Sequence, residues 1–498
     1  MPRTTARRLA LAALALGIVA DLLFDGPALG LNVPIFVAAI LGVAWVLRRR
    51  GRAPDPLDAW LPVSALVLAG FVAVRADPIV GGLDLLAALV CTGAAVAAFS
   101  GLAVTRRSAS AVVATGAWVL EAGLAGAGRI LAAARPERRH GSRRLPEWAG
   151  AVGRGLLLGI PLVLIFAVLF ASADPIFRRG LDDVLGLRID LGDLPGRVLF
   201  ILASAWFVGG LLSVAATGIP ALERSSLGAA ARSATIRADR VLGTTEAIVV
   251  LIAVDLVVAL FVGLQLAYLF GGLDTLAAAG MSYASYARRG YFELVGAACL
   301  AGGILVGLDL NIARRSRAYL ALAIGLVGLT ALVLASAALR LQLYQDAYGW
   351  TELRLYVAVS IVALAVTLAA LALGLALDRT RWLGHAMAGI AVVSLLALNV
   401  LAPASFVAQR NVDRIIHPEL VPADGQAGLD AEYLAVLPDD AVPILVAALP
   451  QLPEPDATRI RAMLVDRRGE LAAPADGLGI LSWNLGRERA RAALGAMP

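Results

Sequence analysis

The sequence predicts an all-α integral membrane protein of about 11 transmembrane helices followed by a small helical C-terminal soluble domain, and three observations carry that prediction. Hydrophobic residues make up 60% of the chain and charged residues 16%, against roughly 45–50% and 25% in soluble domains. The apolar residues gather in runs near the roughly 20 residues that a helix needs to cross a hydrocarbon core of about 30 Å. The charge is also divided: residues 403–498 hold 13 acidic and 9 basic side chains, while the chain as a whole is +6 with a pI near 9.7. The positive excess therefore lies in the membrane part.

Every basic residue is arginine, and the arginines cluster in short links between apolar runs. That pattern reads as membrane orientation, with the lipid bilayer as the first partner and no nucleic acid. Absence of lysine beside abundant Ala, Gly and Arg fits a GC-rich bacterial genome, so the expected location is the bacterial plasma (inner) membrane.

The runs fall near 8–24, 31–47, 58–74, 79–104, 152–172, 198–218, 243–270, 291–312, 318–339, 355–377 and 383–402. With these crossings the links at 48–52, 106–107, 135–144, 224–240, 314–317 and 379–381, all rich in arginine, share one side, which the positive-inside rule makes cytoplasmic. Arg3, Arg7 and Arg8 put the N-terminus beside them, and parity puts the tail outside. The first run also resembles a signal peptide; Asp21 within it favours a retained helix. Residues 109–134 are long enough to cross but contain Glu121 and Arg129, and crossing would separate Arg106-Arg107 from the 135–144 arginines. They read as a helix on or tucked under the inner face. The organisation is thus a four-helix membrane segment (1–108), an interfacial helix with a basic loop (109–150), a seven-helix membrane core (151–402) and an extracytoplasmic helical tail (403–498).

Within the tail, helical patterns cover 430–436, 440–449, 457–467 and 480–494, broken by Pro438, by Pro450, Pro453 and Pro455, and by Pro474 with Gly477. Asp439-Asp440 stands where an N-cap is wanted, and the cap is favoured over a metal-ligand role. Ala76-Asp77-Pro78-Ile79 is echoed at Ala173-Asp174-Pro175-Ile176, either as an internal repeat or because Asp-Pro is a common helix-ending turn.

Several stretches resemble one bacterial membrane family, domain of unknown function family 4173, close kin of family 4153. They are Leu169 to Phe177 (LFASADPIF), Glu246 with Gln265 to Gly272, and Tyr283 to Leu294 (YASYARRGYFEL). The resemblance continues through Ala335-Ser336, Arg340, Tyr344, Tyr348-Gly349, Thr351 and Arg354 to Leu429-Asp430, Tyr433-Leu434 and Asp440-Ala441-Val442-Pro443, covering roughly residues 150 to 450. Trp350 and Tyr291 depart mildly from the family pattern. The resemblance implies a shared membrane fold and no particular activity.

Charges in apolar surroundings supply the site candidates. Asp255 falls near mid-membrane, where an ionised carboxylate costs about 2.5–3.5 kcal/mol on insertion scales. It is either an ion- or proton-linked site or a protonated side chain bonded to a Ser or a carbonyl. Glu246, near the cytoplasmic end, either anchors through Arg237 and Arg240 or has a functional role. Ser336, Arg340, Tyr344 and Tyr348 repeat at spacing four and share one helix face; Arg354, Arg288, Arg289 and Glu293 reach the same outer level. Arg288, Arg289, Glu293, Arg340, Tyr344 and Arg354 are the candidate cluster, binding an anionic lipid headgroup, a glycan precursor or an envelope protein, or docking the tail. The alternative is an aromatic belt with helix-end salt bridges.

His140, His385 and His417 have no metal-ligand spacing, and Cys91 and Cys299 lie inside apolar runs, so no metal, disulfide framework or cofactor is expected. A phosphate loop cannot exist without Lys, and no Gly-x-Ser-x-Gly turn occurs. The expected function is a non-enzymatic envelope scaffold, sensor or assembly factor. The alternative is a transporter or lipid-handling protein using Asp255 and the outer arginines.

Overall fold

The computed structural model describes residues 2–24, 28–48, 53–106, 194–217, 243–270, 291–312, 315–377, 382–422, 430–472 and 479–497, with scattered positions between 115 and 133. Every element described is helical. The membrane part holds α1 (Arg3–Leu23), α2 (Asn32–Leu47), α3 (Trp60–Val72), α4 (Pro78–Phe99), α5 (Leu194–Thr217), α6 (Thr244–Phe270), α7 (Tyr291–Asn311), α8 (Arg317–Tyr348), α9 (Glu352–Ala376) and α10 (Leu383–Leu401). The tail holds α11 (Pro403–Ile416), α12 (Ala431–Ala435), α13 (Val442–Ala448), α14 (Asp456–Ala472) and α15 (Leu485–Gly495).

Ten of the expected apolar runs are therefore helices, and the run at 152–172 lies outside the described residues. Six helices among the described residues are long and apolar enough to cross a membrane, fewer than the eleven expected from sequence. Length is one reason: the apolar stretches Asn32–Leu47, Pro56–Val72 and Leu294–Asp309 are shorter, and 16 residues in α2 rise only about 24 Å at 1.5 Å per residue. Charge is another, since α1 carries three arginines and Asp21.

The buried side chains form two cores in the membrane part. One joins α1, α2, α3, α4 and α5 with Leu395 and Leu398 of α10; the other joins α6, α7, α8 and α9. Small residues permit the closest approaches. A side chain at Gly17 of α1 would strike Ala205 of α5 at 2.8 Å, and one at Gly210 would strike Gly123 at 2.6 Å. The latter contact, with Trp206 Nε1 donating to Leu124 O at 2.7 Å, packs the described part of 115–133 against α5. Arg197 closes the α1–α5 pair at one end with Asp21, at 2.8 Å.

Three interhelical turns share the tail's side. Leu31 N and Asn32 N donate to Trp483 O and Leu481 O at 3.2 and 2.9 Å; Leu485 N and Gly486 N donate to Ala73 O and Val74 O at 2.9 and 3.1 Å. Trp350 and Asn411 exchange two bonds of 2.8 Å. At the opposite end of α3 and α4, Asp58 accepts Val104 N and Thr105 N at 2.9 and 2.7 Å. The N-terminus of α1 lies at that opposite end, since its C-terminal Leu23 accepts Asn32 Nδ2 at the tail's side.

The tail has its own core, built from α11 to α15 with Leu355 of α9 packed in. Its helices fall close to the patterned stretches, with one addition: α11 begins at Pro403, directly after the left-handed Ala402 (φ 51°). Proline at the first helical position starts a helix as readily as it ends the preceding one.

Two turn assignments change. Asp77-Pro78 starts α4 rather than ending a helix, with Asp77 Oδ1 accepting Ile79 N and Val80 N at 2.8 and 3.1 Å. Asp439 and Asp440 cap no helix: Asp439 pairs with Arg467 at 3.1 Å, and Asp440 reaches out of the tail altogether. Side-chain caps in the tail are Asp430, accepting Tyr433 N at 2.9 Å, and Asn484, accepting Arg487 N at 3.0 Å.

Candidate functional site

Of the arginine cluster expected from sequence, Arg288 and Arg289 lie outside the described residues, as does the side chain of Glu293 on α7. Tyr344 and Arg354 do meet. The Arg354 guanidinium stacks 4.0 Å over the Tyr344 ring, whose neighbour Tyr348 lies edge-on at 5.0 Å. Arg354 Nη1 donates to Tyr348 O at 3.5 Å and to Gly349 O. Arg354 thus covers the carbonyl end of α8, where a cation is favoured by the helix dipole, and joins it to α9. Arg340 stands one turn before Tyr344 on α8.

Asp255 packs against α8, its Oδ2 4.0 Å from where a side chain on Gly325 would begin. Its Oδ1 is buried with no hydrogen-bond partner. Arg340 lies 15 residues beyond Gly325 on the same helix, about 22 Å along the axis. Glu246 accepts Gly243 N at 2.8 Å, a helix-start contact on α6; Arg237 and Arg240 lie outside the described residues.

Among the described residues, a polar cluster that sequence reasoning did not assemble lies where the tail meets the α3–α4 turn and the start of α9. Asp440 Oδ2 accepts Ala76 N at 3.1 Å. Tyr433 Oη accepts Glu352 N at 2.8 Å, and Tyr356 Oη donates to Asp77 Oδ2 at 3.3 Å. Asn484 Nδ2 donates to Val72 O and Arg75 O at 3.0 and 2.8 Å. Ser405 Oγ donates to Asp440 O at 2.5 Å. The carboxyl groups of Asp77, Glu352 and Asp440 consequently interact with one another, and the charge of Arg75 acts on Asp440.

Burial dominates the electrostatics. It pushes the Asp440 carboxyl up to about 6, against the charge of Arg75 and the Ala76 amide, which pull it down. It raises Asp439 despite Arg467, and it raises the Tyr433 hydroxyl. Such a group resists ionisation because charge is costly in a poorly solvated site. Gly486 is required here, since a side chain would run into Asp440 Oδ1 and meet Ala76 N at 2.9 Å.

Two turns below Asp77 on the same face of α4, Asp84 accepts Asn399 Nδ2 of α10 at 2.7 Å; both residues are 0% exposed. Asp84 Oδ2 and Asn399 Oδ1 are buried without further partners. The sevenfold spacing of Asp77 and Asp84 was a readable signal, because seven residues return to nearly the same helix face. Asn399, 315 residues away, carried none.

Among the described residues, no group of three or more His, Cys, Asp or Glu side chains has a geometry that could hold a metal ion. The junction contains acids, phenols and an arginine, which suit docking and proton exchange.

A family model described as a domain of unknown function (DUF4153) matches residues 63–448. No curated protein and no solved structure matches the chain.

Proposed function

The chain belongs to the DUF4153 family, and from that premise we propose that it is a non-enzymatic protein of the bacterial plasma membrane, an envelope scaffold, sensor or assembly factor. Its helical tail caps the extracytoplasmic face and presents that surface to a partner. The neighbouring family 4173 is not needed for this reading, since the match falls on 4153.

The supporting observation is the tail's attachment to three separate interhelical turns, at Leu31-Asn32, at Ala73 to Ala76 and at Trp350. A tail held at three points moves with the bundle, so a change in either is felt by the other. Complementation of a deletion strain scored for detergent sensitivity tests it. Gly486→Ala fails to complement while Asp255→Ala complements; the reverse pattern rejects the reading.

A transporter or lipid-handling role is favoured by one observation, the unpartnered Asp255 Oδ1 inside α6–α8 packing. The axial separation of Asp255 from Arg340 counts against a shared cavity. In that reading Asp255→Asn abolishes uptake into proteoliposomes at unchanged protein level.

A further inference from the structure

A cavity of about 480 Å³ lies between α8, α9 and the tail helix α11, within the 300–1,000 Å³ range of small-ligand sites. Its two ends differ in chemistry. One end is apolar, lined by Leu341 of α8 and by Ile361 and Val362 of α9. Both helices are candidate spans, and Val362 is 63% exposed, so this end opens toward lipid.

The other end is lined by Gln345 and Asp346 of α8 and by Arg410, Asp413 and Arg414 of α11. Arg414 is committed, donating through Nη2 to Ala347 O at 3.2 Å and through Nη1 to Gln345 O at 3.2 Å and to Asp346 O. Asp413 accepts Gln409 Nε2 at 2.7 Å on one oxygen. Arg410 is exposed, its guanidinium 5.2 Å from the Phe406 ring centroid.

Gln345 supplies the second, independent sign of a ligand. It is 4% exposed and lines the cavity, yet its Nε2 is buried without a hydrogen-bond partner. A buried donor left unpaired is destabilising, and an oxygen-rich ligand in the cavity would satisfy it.

We propose that this crevice binds a zwitterionic glycerophospholipid, one carrying a phosphate and a primary ammonium. The charges select that class. Two arginines and two aspartates balance at the polar end, so a purely anionic headgroup would meet two carboxylates, whereas a phosphate near Arg410 and an ammonium near Asp346 and Asp413 find opposite partners. The ester oxygens lie at the level of the Gln345 amide, and an acyl chain follows Leu341, Ile361 and Val362 into the bilayer. This site adjoins the Trp350–Asn411 docking contact, since Trp350 also lines it, but it does not depend on the scaffold role.

The test is native mass spectrometry of the delipidated full chain offered equimolar phosphatidylethanolamine and phosphatidylglycerol. The site predicts at least fivefold more phosphatidylethanolamine adduct, falling to parity in Arg410→Ala and in Val362→Trp, which fills the apolar end. Val366→Trp, 49% exposed on the same helix but not on the cavity, keeps the preference. Thermal unfolding checks that each variant is folded. Equal adducts in the wild type, or a preference that survives Val362→Trp, overturns the proposal. Competition by glycerophosphoethanolamine at concentrations equal to the lipid also overturns it, since the ligand would then be a soluble phosphate compound.

Discussion

The Asp440 carboxylate accepts the backbone amide of Ala76 at 3.1 Å across 364 residues of sequence, joining the tail to the α3–α4 turn. Gly486 lies against both partners, where a side chain would collide with Asp440 Oδ1 and come within 2.8 Å of Ala76 Cβ. Neither neighbour can move freely, because one is backbone and the other is buried.

Gly486→Ala should therefore release the tail from the bundle, at a cost in the 1–3 kcal/mol range typical of overpacking. Limited proteolysis in detergent reads this directly as faster cleavage between 417 and 430. Gly42→Ala, which meets nothing within 4 Å, leaves the pattern unchanged.

Docking should weaken as pH rises. Burial holds the Asp440 carboxyl up at about 6 in the docked state, against 3.8 for the ordinary group, so the docked state binds more protons than the free tail between those values. Its contribution is fully present below about pH 4, declines up to about pH 6 and then stays constant; two units correspond to roughly 3 kcal/mol. Asp440→Asn keeps an acceptor for Ala76 N and reduces this slope in thermal unfolding between pH 4 and 7. The remaining slope comes from Asp439, which is shifted the same way, and from Glu352, which interacts with Asp440 at the junction.

Asp84 and Asn399 form a pair inside the first core, bonded at 2.7 Å with both residues 0% exposed. Asn399→Leu leaves Asp84 without that donor and should destabilise by about 1–3 kcal/mol. The double variant Asp84→Leu/Asn399→Leu recovers much of the loss, because two apolar side chains replace a pair that owed its stability to mutual satisfaction. A double-mutant cycle in denaturant gives the coupling. Additive single effects would mean that the bond contributes nothing.

Arg354→Lys tests the stacked cation. Lysine keeps the charge and loses the planar fork over Tyr344, so the expected cost is about 0.5–1 kcal/mol. Tyr344→Leu added to the Arg354→Lys variant should then cost little more, and an undiminished second loss would refute the stack.

What the sequence disclosed follows from which forces are local. Apolar periodicity and length located the helices, and proline and aspartate placed most tail boundaries within a few residues, because helix formation depends on near neighbours. Asp439-Asp440 shows where that logic stops. The pair carries an ordinary capping signal, yet Asp440 is used by a turn 364 residues away. Nothing near either residue announces the other. Tyr344 and Arg354 fell in the expected cluster because α8 and α9 are joined by a three-residue link, Gly349 to Thr351. The junction of Asp77, Glu352, Tyr433 and Asp440 needed three distant segments and stayed hidden. Among the described residues fewer helices are long and apolar enough to cross than the eleven expected, because an apolar run read from sequence does not separate a spanning helix from a shorter one buried in the same bundle.

The most direct test of the account is the side on which the tail lies. A single cysteine at Ile480, 76% exposed, is placed in a chain with Cys91 and Cys299 replaced by alanine and probed in intact cells with a membrane-impermeant maleimide. The cap reading predicts labelling at Ile480→Cys without permeabilisation, whereas labelling that appears only after the membrane is opened would place the tail in the cytoplasm and contradict it.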